Sequence, residues 1–147
     1  MNRRKFITNT SLAGAALSSL GMGVIPINDF FFQEKTLFFK LSLAQWSLHK
    51  AIFSNKMSPM DFAQKAKELG FEGLEYVSQL YKKDIKNSDI VTVVDALLSK
   101  SKEFGMKNLL IMVDGEGSLA SPDPAERKKA VENHYKWVDA AKTLGCE

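Results

Sequence analysis

Apolar and polar positions change their period several times along this chain, and each change marks an element. From Phe38 to Trp46, the apolar Phe39, Leu41 and Leu43 alternate with Lys40, Ser42 and Ala44. That period of two predicts a first strand. From Ser58 the period lengthens. Ser58-Pro59-Met60-Asp61 supplies an N-cap serine, a proline at the first helical position and an acid in the first turn. Phe62, Ala66 and Leu69 continue it as a helical stripe that Gly70 ends. Gly73 to Val77 predicts a second strand. A second helix starts near Ser88-Asp89, carries Ile90, Val94, Leu97, Leu98 and Phe104 on one face, and stops at Gly105. Leu109 to Val113 is an unbroken apolar run, as expected of a strand buried on both faces. Asp123-Pro124-Ala125-Glu126 reads as a capping box for a third helix, whose stripe is Ala130, His134, Trp137, Ala141 and Leu144 before Gly145.

The order β-α-β-α-β-α is reinforced by a repeat. KELGFEGLEYV from Lys67, KEFGMKNLLIMV from Lys102 and KTLGCE from Lys142 are versions of one phrase, 35 and 40 residues apart. That is the length of a strand, a helix and their loops, so the chain reads as consecutive βα units of a parallel sheet. Two α/β folds use this order, the (βα)8 TIM barrel and the open doubly wound parallel sheet. An open-sheet nucleotide binder places a glycine-rich loop after its first strand. Here Trp46 is followed by Ser47-Leu48-His49-Lys50 and a long loop without glycine. The expectation is therefore the N-terminal part of a TIM barrel over 37–147, ending before its fourth strand, with the open doubly wound sheet as the alternative.

Charge changes the picture only at the N-terminus. The 147 residues carry 20 Lys and Arg against 17 Asp and Glu. Arg3, Arg4 and Lys5 account for the whole excess, because the first acid is Asp29 and the remaining chain is balanced, 17 against 17. A neutral body has no electrostatic footprint for nucleic acid or anionic lipid, and neither is expected as a partner. Residues 1–27 pair a charged start, Asn2-Arg3-Arg4-Lys5-Phe6-Ile7, with a mildly apolar stretch rich in Ala, Gly and Ser. This resembles a twin-arginine export signal, which implies the twin-arginine translocase as a partner and a periplasmic location without stable membrane association after cleavage. The alternative is an uncleaved N-terminal anchor, although the stretch is short and dilute for a span of about 20 apolar residues. Residues 28–36, with Phe30-Phe31-Phe32, form a linker. Cys146 is the only cysteine, so no intramolecular disulfide forms, and its place beside Gly145 suits a small buried residue.

In either fold, ligand-contacting groups stand at the C-terminal ends of the strands. Those positions hold Gln45, Trp46 and His49 after the first strand, Glu75, Tyr76 and Gln79 around the second, and Asp114 and Glu116 after the third. Aromatic faces beside amides and carboxylates suit a polyhydroxylated ligand. Glu75, between Leu74 and Tyr76, should point away from both and towards the barrel axis. It is either a site carboxylate or a structural acid bridging neighbouring strands. Asp114 and Glu116 flank Gly115 in a loop that either ligates a cation or is a solvated turn. His49 lies on the functional face, whereas His134 lies on a helix stripe and reads as a packing histidine. No His-x-His, Cys-x-x-Cys or His-Glu-x-x-His spacing occurs, so no metal site is completed within this sequence.

LSLAQWSLHKAIF from Leu41, SPMDFAQKAKELGFEGLEYV from Ser58 and HYKWVDAAKTLGC from His134 resemble the xylose isomerase-like TIM-barrel family of sugar phosphate isomerases and epimerases, in particular its exported members. The resemblance runs from about Leu37 to Glu147. It implies a small sugar or sugar phosphate as substrate. It also implies a divalent metal held at later strand ends, and proton transfer at a carbon next to a carbonyl in the full-length protein. None of those metal ligands maps onto this segment, so the segment alone is expected to be inactive. What it carries over is the wall of a sugar pocket, Trp46 and Glu75. The competing reading is a non-catalytic, exported carbohydrate-binding barrel.

Overall fold

Three parallel strands, β1 (Ser42–Ala44), β2 (Gly73–Val77) and β3 (Lys107–Met112), pair in chain order in one open sheet. The computed structural model describes residues 38–147. The expectations placed on residues 1–27, on the 28–36 linker with its three phenylalanines, and on Leu37 lie outside the described residues. Among the described residues five α-helices accompany the strands: α1 (His49–Phe53), α2 (Phe62–Glu68), α3 (Lys82–Asn87), α4 (Ile90–Glu103) and α5 (Pro124–Leu144). The α/β order expected from the repeat is present, as a parallel part-barrel whose sheet does not close.

Local chemistry sets the helix ends. Ser58 Oγ accepts the Met60 N–H, Asp89 Oδ1 accepts the Thr92 N–H, and Asp123 Oδ1 accepts the Ala125 N–H, each filling a donor that the first turn leaves free. The box at α5 differs from the expected one. Glu126 does not reach back to Asp123; it accepts the Ser121 hydroxyl at 2.6 Å, and Ser121 Oγ in turn accepts the Asp123 N–H. At the other end, Gly145 takes φ +70° and lets Cys146 N–H reach the Ala141 carbonyl, a left-handed stop that only glycine adopts without cost.

β1 is shorter than the alternation suggested. Only Ser42–Ala44 pairs, against Gly73–Glu75, and Phe38, Phe39 and Leu41 stay exposed. Leu69, placed on the buried stripe of the first helix, is exposed too, whereas Ala63 is buried; the chain has begun to leave the core one residue before Gly70. β3 begins at Lys107, two residues earlier than the apolar run implies, because Lys107 and Asn108 pair with Gly73 and Leu74. A bulge follows, with Leu109 as the extra residue before Leu110 pairs with Glu75. Gly73 makes the bulge possible: a Cβ there would stand 2.8 Å from Leu109 Cδ1 and 3.0 Å from Ser42 Cβ.

One face of the sheet is covered. Leu43, Leu74 and Tyr76 pack there with Phe62, Ala63 and Ala66 of α2, Val93, Val94 and Leu97 of α4, and Trp137, Ala140 and Leu144 of α5. Within this apolar layer sits one polar network. Tyr76 Oη donates to Asn108 Oδ1 at 2.7 Å, and Asn108 Nδ2 donates to Ser101 Oγ at 3.0 Å and to the Leu144 carbonyl at 2.8 Å. It ties β2, β3, α4 and α5 at one point, and burial pushes the Tyr76 phenol well above its ordinary range. The opposite face carries Ser42, Glu75, Leu110 and Met112. β3 is therefore not buried on both faces: Leu110 and Met112 are 43% and 45% exposed, although Val77, at the phase of Glu75 in β2, is buried with Ile52 and Leu80.

Candidate functional site

The C-terminal ends of the strands are held together by side chains that cap the neighbouring strand. Gln45, just past β1, is fully buried; its Oε1 accepts the Val77 N–H at 3.1 Å, at the end of β2. Its Nε2 donates to Tyr81 Oη at 2.6 Å and to the Pro59 carbonyl at 3.3 Å. Ser78, just past β2, repeats the device one strand on, where its Oγ accepts the Asp114 N–H at 2.9 Å. These are backbone groups that leave the sheet ladder and need partners where water is excluded. Gln45 is thus committed to the protein on every side, and its part is to hold the strand ends in place.

Gln45 being turned inward leaves Trp46 turned outward, 38% exposed. The His49 ring stacks on it with centroids 4.5 Å apart and planes 8° from parallel, and Phe53 stands edge-on to both at 6.0 and 6.1 Å. The 3-10 turn over 45–48 and the start of α1 create this platform by bringing residues 46, 49 and 53 to one side. His49 Nδ1 lies 2.5 Å from the Trp46 carbonyl. A carbonyl only accepts, so Nδ1 carries a proton, and in that tautomer of the neutral ring Nε2 is the acceptor. Phe53 belongs to this platform although no sequence signal marked it beyond helical spacing from His49.

Glu75 points away from the buried Leu74 and Tyr76, onto the face opposite the helices, and is half-buried there. Ser42 Oγ donates to its Oε1; the pair follows from the register, in which Ala44 lies opposite Glu75 and Ser42 opposite Gly73. Tyr76, also named from its place at the strand end, faces the helices. Ser42 was not marked by the sequence, yet a polar residue at the same phase of β1 was the available signal.

The two acids of the third loop diverge. Asp114 is half-buried, and its Oδ2 accepts from Gln79 Nε2 at 3.4 Å, so it remains at the strand ends with β2. Glu116 turns to α5. Its side chain, 13% exposed, accepts from Lys136 Nζ at 2.8 Å and Trp137 Nε1 at 2.9 Å, while its carbonyl accepts from Asn133 Nδ2 at 3.0 Å. Burial works to raise its pKa, but the Lys136 ion pair, the Trp137 N–H and the charge of His134 outweigh it and hold the carboxyl below its ordinary value. Glu116 fastens the loop to α5. His134 itself is half-buried on α5, its Nδ1 against the Ala130 carbonyl at 2.6 Å.

Beside the platform, a cleft of about 490 Å³ opens between the loop before α2 and the turn into α3. Phe53 lines it, as do Gln79 and Lys82, but Trp46, Glu75 and Asp114 do not. Among the described residues, no three His, Cys, Asp or Glu side chains come together as they must to hold a metal ion. The divalent cation implied by the resemblance therefore has no fitting ligand set in residues 38–147.

A family model described as xylose isomerase-like TIM barrel matches residues 63–147. The match includes Glu75, Asp114 and Glu116 but starts after Gln45, Trp46 and His49, so it covers less of the chain than the resemblance drawn from Leu37 onward. No curated protein matches the chain. The match spans more than half of the sequence and the whole connection from β2 to β3, with α5 after it, and it suggests a sugar isomerase- or epimerase-like function. By its parallel βα order and by this match, the chain belongs to the xylose isomerase-like TIM barrel family.

Proposed function

We propose that this chain supplies one wall of the sugar site of an exported isomerase or epimerase that moves a proton at a carbon next to a carbonyl. The observations that carry the reading are an aromatic platform that begins two residues after Ala44, the partner of the half-buried Glu75 in the sheet, and a second half-buried carboxylate, Asp114, just past β3. The CH face of a sugar stacks on Trp46, and its hydroxyls donate to Glu75, Asp114 and His49 Nε2. A carboxylate flanked by Leu110 binds a hydroxyl more strongly than one in open water, because fewer waters compete for it. The segment's part is binding and orientation. A divalent metal, as the resemblance implies for the full-length protein, would polarise the carbonyl, and residues 38–147 would not hold it. The segment alone is accordingly inactive.

The test is solvent exchange of the carbon-bound hydrogen of a ketose or aldose in D₂O, followed by proton NMR. The full-length protein with added Mn²⁺ or Mg²⁺ is expected to exchange it, and residues 1–147 alone are not. Saturable sugar binding without any exchange by the full-length protein would establish the carbohydrate-binding barrel instead. Exchange by residues 1–147 alone would overturn the assignment of the metal to other residues.

Export is the second part of the proposal and rests on Arg3-Arg4 ahead of a small-residue apolar stretch. Replacing Arg3 and Arg4 together by lysine keeps the charge but is expected to hold a reporter fusion in the cytoplasm. Unchanged delivery to the periplasm by the doubly substituted fusion would remove the twin-arginine translocase from this account.

A further inference from the structure

We propose that Glu116 is a positioning residue of the sugar site: docked on α5, it holds the Asp114 carboxylate, two residues away, where a sugar hydroxyl meets it. This rests on the sugar reading, in which Asp114 accepts a hydroxyl, and adds the residue that keeps it in place. Asp114 itself is lightly held. Its N–H donates to Ser78 Oγ at 2.9 Å, but its two other bonds, from Ser78 Oγ to its carbonyl and from Gln79 Nε2 to Oδ2, are both 3.4 Å, the long end for such contacts. The backbone beyond it adds no stiffness. Gly115 and Gly117 take φ +77° and +104°, so Glu116 lies between two joints with no side chain to restrict them. Lys82 Nζ approaches Gly115, 2.8 Å from where a Cβ would stand, yet the end of so long a side chain does not fix a backbone.

Glu116 supplies the missing hold, and does so three times. Its carboxylate accepts from Lys136 Nζ at 2.8 Å and from Trp137 Nε1 at 2.9 Å, and its carbonyl accepts from Asn133 Nδ2 at 3.0 Å. The first two are bonds to an ionised acceptor, the stronger kind. All three donors stand on α5, which Trp137, Ala140 and Leu144 fix in the core. Gly117 closes against the same helix: a Cβ there would stand 3.0 Å from Ala130 Cβ. The loop therefore has two firm points, Ser78 at the end of β2 and the Glu116 dock on α5, with Asp114 between them. A carboxylate fixed in advance loses less freedom on receiving a hydroxyl than one that must first be ordered. Glu116 thus takes part in binding through its neighbour, although its own oxygens are claimed by α5.

Calorimetric titration of the full-length protein with glucose and with fructose tests this, alongside amide exchange of the unliganded protein. Glu116→Gln keeps the shape but loses the charge that holds Lys136. It is expected to weaken binding of the better sugar about 10-fold, within what a hydrogen bond to a charged group contributes. Exchange of the Asp114 amide should quicken by a similar factor while the paired amides of β2 and β3 keep their rates. Asn133→Ala, which removes the donor to the Glu116 carbonyl and leaves the carboxylate docked, should move both readings the same way by less. Because Glu116 acts through Asp114, the Asp114→Asn/Glu116→Gln double variant should bind no more weakly than Asp114→Asn alone. Losses that multiply, a Glu116→Gln affinity equal to the parent's, or exchange that rises equally throughout the sheet would overturn the inference and leave the sugar reading intact. If neither sugar binds the parent, the sugar reading fails and amide exchange alone decides. A faster Asp114 amide in Glu116→Gln then keeps Glu116 as the residue that positions Asp114, and an unchanged one removes it.

Discussion

Asn108→Ala is expected to lower the unfolding free energy by about 3 kcal/mol or more, the largest single loss anticipated in this fold. Its side chain is buried between four elements and bonds to Tyr76 Oη, Ser101 Oγ and the Leu144 carbonyl. Alanine leaves the Leu144 carbonyl without its side-chain donor and the Tyr76 hydroxyl with Ser101 alone, whereas Ser101 Oγ keeps the Leu98 carbonyl at 3.0 Å. A buried group left unpaired costs about 1–3 kcal/mol, and the vacated volume adds to that. Against a typical domain stability of about 5–15 kcal/mol this is severe. Asn108→Asp separates the hydrogen bonds from the packing. The introduced carboxyl still accepts from Tyr76 but, when ionised, faces the Leu144 carbonyl with no proton to offer. Its pKa is raised in the folded state, so stability should be retained below the ordinary carboxylate value and lost as the pH rises through the raised one. Urea unfolding of both variants at two pH values reads this directly, and a midpoint that stays with the parent for Asn108→Ala would show that the network is dispensable.

The elements that were legible in the sequence are those fixed by neighbours a few residues away. Ser58, Asp89 and Asp123 cap helices because an oxygen two or three residues before a free N–H needs only local geometry. Gly145 ends α5 for an equally local reason. β1 is shorter than its alternation because strand length is set by the partner: among the described residues, the stretch from Phe38 to Trp46 pairs only against Gly73–Glu75. The short helices α1 and α3 were not anticipated, since five and six residues are too few to display a period. In the candidate site, sequence position located the strand ends correctly but not the direction of each side chain. Gln45 and Trp46 are adjacent, yet the first is wholly buried and the second is the exposed stacking face. That division is settled by Val77, Tyr81 and Pro59, all distant in sequence. Asp114 and Glu116 look equivalent around Gly115, and only the packing of α5 shows that Lys136 and Trp137 claim the second.

Glu75→Gln in the full-length protein is expected to weaken sugar binding by about 10- to 100-fold while leaving the unfolding midpoint nearly unchanged. Glu75 sits in β2 between two residues turned into the core, on the face that carries Leu110 and Met112. Ser42 occupies Oε1, and Oε2 remains as an acceptor at the end of the sheet where Trp46 is exposed. A hydrogen bond to an ionised acceptor contributes about 1.5–3 kcal/mol, which corresponds to that fold-change at 1.4 kcal/mol per factor of ten. Glutamine keeps the shape and the Ser42 contact but removes the charge. The alternative is an acid whose whole purpose is to bridge β1 and β2. Under that alternative neither Glu75→Gln nor Ser42→Ala changes sugar affinity, and Ser42→Ala, which breaks the bridge that glutamine keeps, costs more stability. Under the site reading they separate. Ser42→Ala removes one neutral donor and frees Oε1, so its effect on affinity is several-fold smaller than that of Glu75→Gln. Calorimetric affinities and urea midpoints for the two variants, compared at one pH, distinguish these patterns. Equal affinities for Glu75→Gln and the parent would take Glu75 out of the sugar site.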